Sequence, residues 1–220
     1  MSIDEWISSQ YGGHFQYLTI QGLVIAGVTM ASSVLLDLFP SSKAILTFKR
    51  ALFMIAMPLA AVISSVYWML LLLDPSLILQ EGEPLTGDPL VNESIEKLVL
   101  VRIPLPVDLS LHLAPAVSLL LDFFVLEKKF EPREVKYTAP LVALAYTVFY
   151  GAWVEHCAKR NDGLCEINSY RRVAATSNDF DPPDPYPFLT LNPFSIRLVI
   201  YAGAGLFSYL SFAGLNRLHK

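Results

Sequence analysis

Long apolar runs alternate with short polar connections along the chain, and this pattern predicts membrane-spanning helices. A bilayer core needs about 20 predominantly apolar residues per helix. The segments that approach this length are 16–39, 51–73, 106–126, 138–156 and 195–215. No repeat or long linker divides the chain, so we predict a single transmembrane helical domain over residues 1–220. Its predicted fold class is all-α, a polytopic membrane helix bundle with five transmembrane helices.

The overall composition agrees with this pattern. Hydrophobic residues make up 54% of the chain, charged residues only 16%, and the mean hydropathy is +0.47, which is unusual for a soluble protein. A net charge of −4 without a basic patch disfavours nucleic acid binding. The sequence contains no glycine-rich phosphate loop, Gly-x-Ser-x-Gly elbow, His-x-x-Glu-His or Cys-x-x-Cys motif. We therefore expect no metal and no cofactor.

Charges between the apolar segments predict the orientation of the chain in the membrane. The connection 40–50 carries basic side chains without an acid, the connection 127–137 is rich in lysine and arginine, and the connection 74–104 is mainly acidic. The positive-inside rule places the two basic connections in the cytosol. We predict a lumenal or external N-terminus and a cytosolic C-terminus, in the endoplasmic reticulum membrane or, as an alternative, the plasma membrane.

Two short motifs in the predicted lumenal connections agree with this orientation. The Asn-Glu-Ser sequence that begins at Asn92 is an N-glycosylation sequon. Cys157 and Cys165 are the two cysteines of the chain, and an oxidising lumen would permit a disulfide between them. Two free thiols are the alternative.

Polar side chains inside apolar segments are candidates for chemistry, because they are costly in lipid. At a rise of about 1.5 Å per residue, His112 lies about 9 Å below the lumenal end of a helix beginning at Pro106. Asp108 shares its helix face and either orients the imidazole or is simply a first-turn acid. Thr19 lies about 6 Å below the lumenal end of the first helix. A hydroxyl and an imidazole at one depth form a minimal pair for acyl transfer, although most membrane threonines bond back to a carbonyl one turn earlier.

Other polar residues are predicted at the same lumenal level. Glu155 and His156 end the fourth segment, and Arg197 begins the fifth. Glu155 is a second candidate to orient the imidazole, whereas His156, Arg197 and Tyr186 are candidates to bind substrate, with the arginine suited to a fatty acid carboxylate. The cytosolic half offers no comparable group beyond Asp37. This asymmetry favours a site in the lumenal leaflet.

Two other function classes remain open at this point. His112 and His156 lie near one depth on adjacent predicted helices, and two imidazoles can ligate a haem iron. A haem-binding membrane redox protein is therefore one alternative. A lipid-binding or scaffold protein without catalytic activity is the other.

Several short motifs occur in order over nearly the whole chain. They are YGG, FQYLT with Thr19, LVI, LLDL, the segment around His112, AWVEH and YPFL. Together they resemble the FAR-17a/AIG1-like membrane proteins, whose animal members include androgen-induced and androgen-dependent proteins. The resemblance implies an intramembrane hydrolase of fatty acid esters of hydroxy fatty acids, with Thr19 as nucleophile and His112 as base. It implies a lipid ester substrate within the membrane, and no obligate protein partner is inferred.

Overall fold

The computed structural model describes residues 3–75, 81–82, 99–100, 104–161, 189 and 192–220, and most of them are helical. The helices are α1 (Ile3–Ser9), a 3-10 helix (Gly13–Gln16), α2 (Leu18–Leu38), α3 (Lys43–Leu73), α4 (Leu105–His112), α5 (Ala114–Val125), a π-helical turn (Glu134–Thr138), α6 (Ala139–Arg160) and α7 (Phe194–Leu218). Two short strands, β1 (Glu81–Gly82) and β2 (Val99–Leu100), pair in antiparallel fashion.

Four helices of this structure are long and apolar enough to cross a membrane: α2, α3, α6 with its π-helical turn, and α7. The pair α4 and α5 meets the same criterion together and is bent by 42°. Pro115 lies in the first turn of α5. A proline has no N–H to donate to the carbonyl four residues earlier, so the helix of α4 does not continue regularly into α5. The prediction of a helical bundle with candidate membrane spans is confirmed. The described residues contain four such helices, or five spans if the bent pair α4 and α5 counts as one.

Contacts between helix ends show that α3 and α5, and likewise α6 and α7, run in opposite directions. Lys49 near the start of α3 contacts Asp122 near the end of α5 at 2.9 Å. Glu155 near the end of α6 contacts Arg197 near the start of α7 at 2.7 Å. The 3-10 helix before α2 is bonded to the second half of α6 by Tyr150 and Trp153, which places Thr19 toward the end of the bundle that contains the second contact. We call these two regions the Lys49 end and the Thr19 end of the bundle.

Aromatic packing fills the core near the Lys49 end. The rings of Phe53 and Phe123 stack with their centroids 5.9 Å apart, and Phe130 and Phe212 meet edge to face at 5.1 Å. All four side chains are almost completely buried. Because lipid is as apolar as these side chains, close packing rather than hydrophobic burial stabilises such a core within a membrane.

A network of buried charges joins α2, α3 and α5 at the Lys49 end. Lys49 Nζ lies 2.9 Å from Asp122 Oδ1 and 3.2 Å from Glu127 Oε2, and its side chain is only 3% exposed. Ser33 Oγ donates to the other Asp122 oxygen at 2.6 Å, and Arg50 Nη1 lies 2.6 Å from Glu127 Oε1. Each of these buried charges has an opposite partner, which is the condition under which a buried ion pair is tolerated.

This network corrects two expectations drawn from the sequence. The basic residues Lys43, Lys49 and Arg50 fall within the predicted connection 40–50, but α3 begins at Lys43 and includes all three. The expectation that this half of the bundle offers only Asp37 was also wrong. Asp122 lies inside an apolar segment and is buried against a lysine from another helix.

We predict that Lys49→Met lowers the free energy of unfolding by about 3–5 kcal/mol, because it leaves buried carboxylates without their cation. The double variant Lys49→Met/Asp122→Leu should lose less stability than Lys49→Met alone. Denaturant titration in detergent measures both. Lys43→Met is the matched control, since Lys43 is exposed on the same helix. Equal losses for Lys43→Met and Lys49→Met would contradict the prediction.

Candidate active site

Thr19 lies in the first turn of α2, directly after a break in the helical backbone. Tyr17 is extended, with φ −84° and ψ 128°, so the 3-10 helix before it and α2 after it are separate. Among the described residues, no side chain or backbone group forms a hydrogen bond with the Thr19 hydroxyl. The hydroxyls of Thr29 and Thr147, in contrast, each donate to the carbonyl one turn earlier at 2.7 Å. Thr19 is therefore not a back-bonded membrane threonine.

Other side chains occupy the carbonyl groups that precede α2. Phe15 O accepts hydrogen bonds from Gln21 Nε2 at 2.7 Å and from Trp153 Nε1 at 3.0 Å. Gln16 O accepts a hydrogen bond from Tyr150 Oη at 3.1 Å. These bonds tie the start of α2 to α6. They also use the acceptors to which a threonine in the first turn of α2 would otherwise bond back.

His112 and Asp108 form a buried pair at the end of α4. His112 Nδ1 lies 2.7 Å from Asp108 Oδ1, and the two residues are 6% and 7% exposed. They are four residues apart on one helix, so the contact follows from helical spacing. A bond from Nδ1 to a carboxylate sets the tautomer and leaves Nε2 to accept a proton. The predicted proximity of Asp108 to His112 is present in the structure.

Helix α3 holds His112 from the other side. The Tyr67 ring lies parallel to the imidazole, with the centroids 3.5 Å apart and an angle of 6° between the planes. Ser64 Oγ donates to the backbone carbonyl of His112, at the break between α4 and α5. Tyr67 gives no specific sequence signal, because a tyrosine near the end of a membrane helix is typical of the lipid interface. Its contact with the imidazole depends on the packing of two helices.

Two cavities meet at Thr19. The smaller one has a volume of about 10 Å³ and is lined by Thr19, His112 and Ser64, among others. That is about the space for one water molecule. The larger one has a volume of about 440 Å³, lies between α2, α3, α6 and α7, and includes Tyr67 in its wall. Its lining is mostly apolar and its size is that of a small-molecule site. Thr19 therefore lies between a small pocket that His112 and Ser64 also line and a large apolar cavity.

Glu155 is bound to Arg197 and not to His112. Arg197 Nε and Nη2 donate to the two Glu155 carboxylate oxygens at 2.7 and 2.8 Å. Tyr201 Oη donates to Glu155 Oε1 at 3.0 Å, and Arg197 Nη1 donates to Asn192 O at 2.9 Å. Of the two acids predicted to orient the imidazole, the structure therefore brings Asp108 to it. All three guanidinium nitrogens already donate within the protein.

The remaining predicted site residues either contact other parts of the protein or lie outside the described residues. His156 is exposed, and its ring meets the ring of Tyr11 edge to face, with the centroids 5.4 Å apart. Cys157 is a buried free thiol. Three predictions, for the substrate candidate Tyr186, the sequon at Asn92 and the thiol of Cys165, lie outside the described residues. Within the described part of the chain, no cluster of three or more histidine, cysteine or acidic side chains could hold a metal ion.

Comparison with known proteins identifies the family. The sequence model for the FAR-17a/AIG1-like proteins matches residues 2–164. The chain belongs to the FAR-17a/AIG1-like family. A UPF0641 membrane protein of Schizosaccharomyces pombe is 31% identical over 218 residues, which cover 98% of this chain and 79% of that relative. No solved structure matches the chain significantly.

Membership in the FAR-17a/AIG1-like family confirms the resemblance predicted from the short motifs. The match to a membrane protein agrees with the candidate spans of the helical fold. The chain is a multi-pass membrane protein. The range matched to the family includes Thr19, Asp108 and His112. Arg197 lies beyond that range, in the part of the chain that the Schizosaccharomyces pombe relative still covers.

We predict that Arg197→Met lowers the free energy of unfolding by about 3 kcal/mol, because Glu155 is left largely buried without its cation. Arg197→Lys should have an intermediate effect, since a lysine keeps the charge but not the paired donors. Denaturant titration in detergent measures these changes. Arg217→Met is the control, because Arg217 is exposed on the same helix. If Arg217→Met were equally destabilising, the ion pair would not explain the loss.

Proposed function

We propose that this chain is an intramembrane hydrolase of lipid esters, in which Thr19 is the nucleophile and His112 the general base. The observation that supports this most is the position of the Thr19 hydroxyl. It has no hydrogen bond among the described residues, and it lies between the pocket shared with His112 and the apolar cavity of about 440 Å³. The family resemblance implies fatty acid esters of hydroxy fatty acids as the substrates.

The first step of the proposed reaction forms an acyl-threonine. Thr19 Oγ1 attacks the ester carbonyl carbon, and its proton passes to His112 Nε2, directly or through a water in the small cavity. The bond from the carbonyl carbon to the alcohol oxygen then breaks. The alcohol takes the proton from the imidazolium and leaves. Asp108, bonded to Nδ1 at 2.7 Å, stabilises the imidazolium while it carries the proton.

The second step releases the fatty acid. His112 removes a proton from a water molecule, which attacks the acyl carbon of the ester at Thr19. The bond to Oγ1 breaks, and Oγ1 recovers the proton from the imidazolium. The product is a carboxylic acid, which ionises in water, and both side chains return to their starting state. No cofactor takes part in either step.

Backbone N–H groups at the start of α2 are the proposed oxyanion donors. The first N–H groups of a helix have no acceptor within the helix, and no side chain caps α2. The N–H groups of Thr19 and Ile20 belong to this first turn, beside the nucleophile. Together with the positive end of the helix dipole, they would stabilise negative charge on the carbonyl oxygen.

The proposal also includes an orientation and a place for the substrate carboxylate. The Thr19 end would lie at the lumenal leaflet, with the C-terminus in the cytosol, as the loop charges suggest, and the endoplasmic reticulum is the proposed location. His156 is exposed and, with Tyr186, is proposed to meet the carboxylate. Arg197 would do so only by sharing its guanidinium between the substrate and Glu155, to which it is bonded.

We predict that Thr19→Ala and His112→Ala each lower the rate of ester hydrolysis by at least about 1000-fold, because the nucleophile and base act as a unit. Purified protein is assayed on a branched lipid ester, and a fluorophosphonate probe should label wild type at Thr19. Thr47→Ala is the control, since Thr47 is an exposed threonine of α3.

Full activity in either variant would refute the assignment. Absence of both hydrolysis and labelling in the wild type would favour a lipid-binding protein without catalytic activity. A visible Soret band that disappears on changing His112 or His156 would favour the haem-binding alternative. Each alternative is therefore separated from the hydrolase by one readout on the same purified protein.

We predict that Tyr67→Leu lowers kcat about tenfold, because the imidazole loses the ring that holds it and catalytic geometry is sensitive to small displacements. Tyr67→Phe retains the stacked ring and should keep most of the activity. A short-chain ester that does not fill the large cavity, which Tyr67 also lines, keeps KM nearly constant in this assay. Equal loss in Tyr67→Phe and Tyr67→Leu would show that stacking is not the reason.

A further inference from the structure

Close helix packing closes two sides of the large cavity. Between α2 and α3, a Cβ atom on Gly22 would overlap Ile63 Cδ1. Between α6 and α7, a Cβ atom on Gly205 would lie 2.5 Å from Thr147 Oγ1. Glycine at such positions lets two helix backbones approach closely within a membrane. At both positions the two helices are in contact, so a ligand chain cannot pass there.

Hydrogen bonds from α6 to α2, and to the 3-10 helix before α2, cross a third side of the cavity. Tyr146 Oη donates to Gln21 Oε1 at 2.9 Å, and Tyr150 Oη donates to Gln16 O at 3.1 Å. Leu189 also lines the cavity and is only 4% exposed. On this side of the cavity, the described lining residues are therefore hydrogen-bonded or buried.

The seam between α3 and α7 differs from these three. Lining residues on both helices are exposed there: Met69 of α3 is 51% exposed and Phe207 of α7 is 40% exposed. Gly203, which also lines the cavity, is exposed, and a Cβ atom on it would have no neighbour within 4 Å. Among the described residues, this is where the lining reaches the outer surface. We call this exposed part of the lining, formed by Met69, Gly203 and Phe207, the lateral opening.

The surface around the lateral opening is mostly apolar, and Ser65 of α3 is an exposed polar residue of the cavity lining. Leu206 and Leu210 of α7 are 59% and 54% exposed, and Leu72 of α3 is 81% exposed. Exposed aliphatic side chains on a membrane-spanning helix face lipid. A molecule that reaches the cavity by this route therefore comes from the bilayer and not from water.

We propose that the substrate is an ester already dissolved in the bilayer, whose aliphatic chain enters the cavity sideways between α3 and α7, past Gly203. The chain occupies the apolar cavity, and this brings the ester carbonyl to Thr19 at the opposite wall. This inference rests on the proposed hydrolase function and adds to it the route by which the substrate enters. A short water-soluble ester does not need the cavity, so its hydrolysis does not depend on the opening.

The test compares Gly203→Phe with Gly214→Phe in lipid nanodiscs. Both glycines lie on α7 and have open space where a Cβ atom would be, but only Gly203 lines the cavity. Gly203→Phe should lower kcat/KM for a long-chain ester by about tenfold or more, the scale of steric discrimination in an apolar site. Hydrolysis of a butyrate ester should fall much less than long-chain hydrolysis, and fluorophosphonate labelling at Thr19 should persist. Gly214→Phe should leave all three unchanged.

A second pair of variants tests the opposite border of the opening and covers the case in which Gly203→Phe does not fold. Met69→Trp narrows the opening from α3, and Leu46→Trp is its control, because Leu46 is exposed on the same helix near the Lys49 end and does not line the cavity. Selective loss of long-chain hydrolysis in Met69→Trp supports the lateral route.

Two results would overturn this route. One is unchanged long-chain hydrolysis in the folded variants at both borders. The other is an equal fall for butyrate and long-chain esters. In both cases, labelling of wild-type Thr19 would still support the hydrolase function, and only the route would be refuted. Failure to label or hydrolyse in the wild type would instead remove the proposed function itself.

Discussion

A polar group inside a membrane protein must find its hydrogen-bond partner within the protein, because lipid offers none. Lys49 meets this requirement through Asp122 and Glu127, and Arg197 meets it through Glu155. Once such groups are paired, their charges mainly hold helices together. The hydroxyl of Thr19 is different, because no described residue bonds to it. Under the constraint that explains the stability of the two ends, the Thr19 hydroxyl is therefore available to bond a ligand.

Both proposed catalytic side chains lie at interruptions of helical backbone. Thr19 follows the extended Tyr17 by two positions, and His112 ends α4 just before the 42° bend into α5. A helix break exposes backbone groups and side chains that a continuous helix would satisfy internally. Side chains of neighbouring helices then bond some of the exposed backbone groups, as Ser64 does for the carbonyl of His112. The site is therefore assembled where two helices are interrupted and neighbouring helices supply some of the missing contacts.

Local patterns allowed much of the fold to be predicted from the sequence. Apolar runs located the helices, and a spacing of four residues brought Asp108 to His112, because both features depend on one helix alone. The pairing of Lys49 with Asp122, the pairing of Glu155 with Arg197 and the stack of Tyr67 on His112 were not predicted. Each of these contacts joins side chains from different helices, so it depends on how the helices are rotated against one another. One chain without related sequences does not carry that information.

The lateral opening changes what substrate concentration means for this protein. If the cavity opens toward lipid, its occupancy depends on the mole fraction of the ester in the bilayer. The volume of the surrounding water has no effect on this quantity. Adding inert phospholipid dilutes such a substrate even when its total amount is unchanged. A fatty acid released into the same cavity returns by the same gap to the same leaflet, where it competes with fresh ester for entry. Turnover would then follow the local lipid composition of the membrane around the α3–α7 seam, so that two membranes with equal ester content but different lipid content would support different rates.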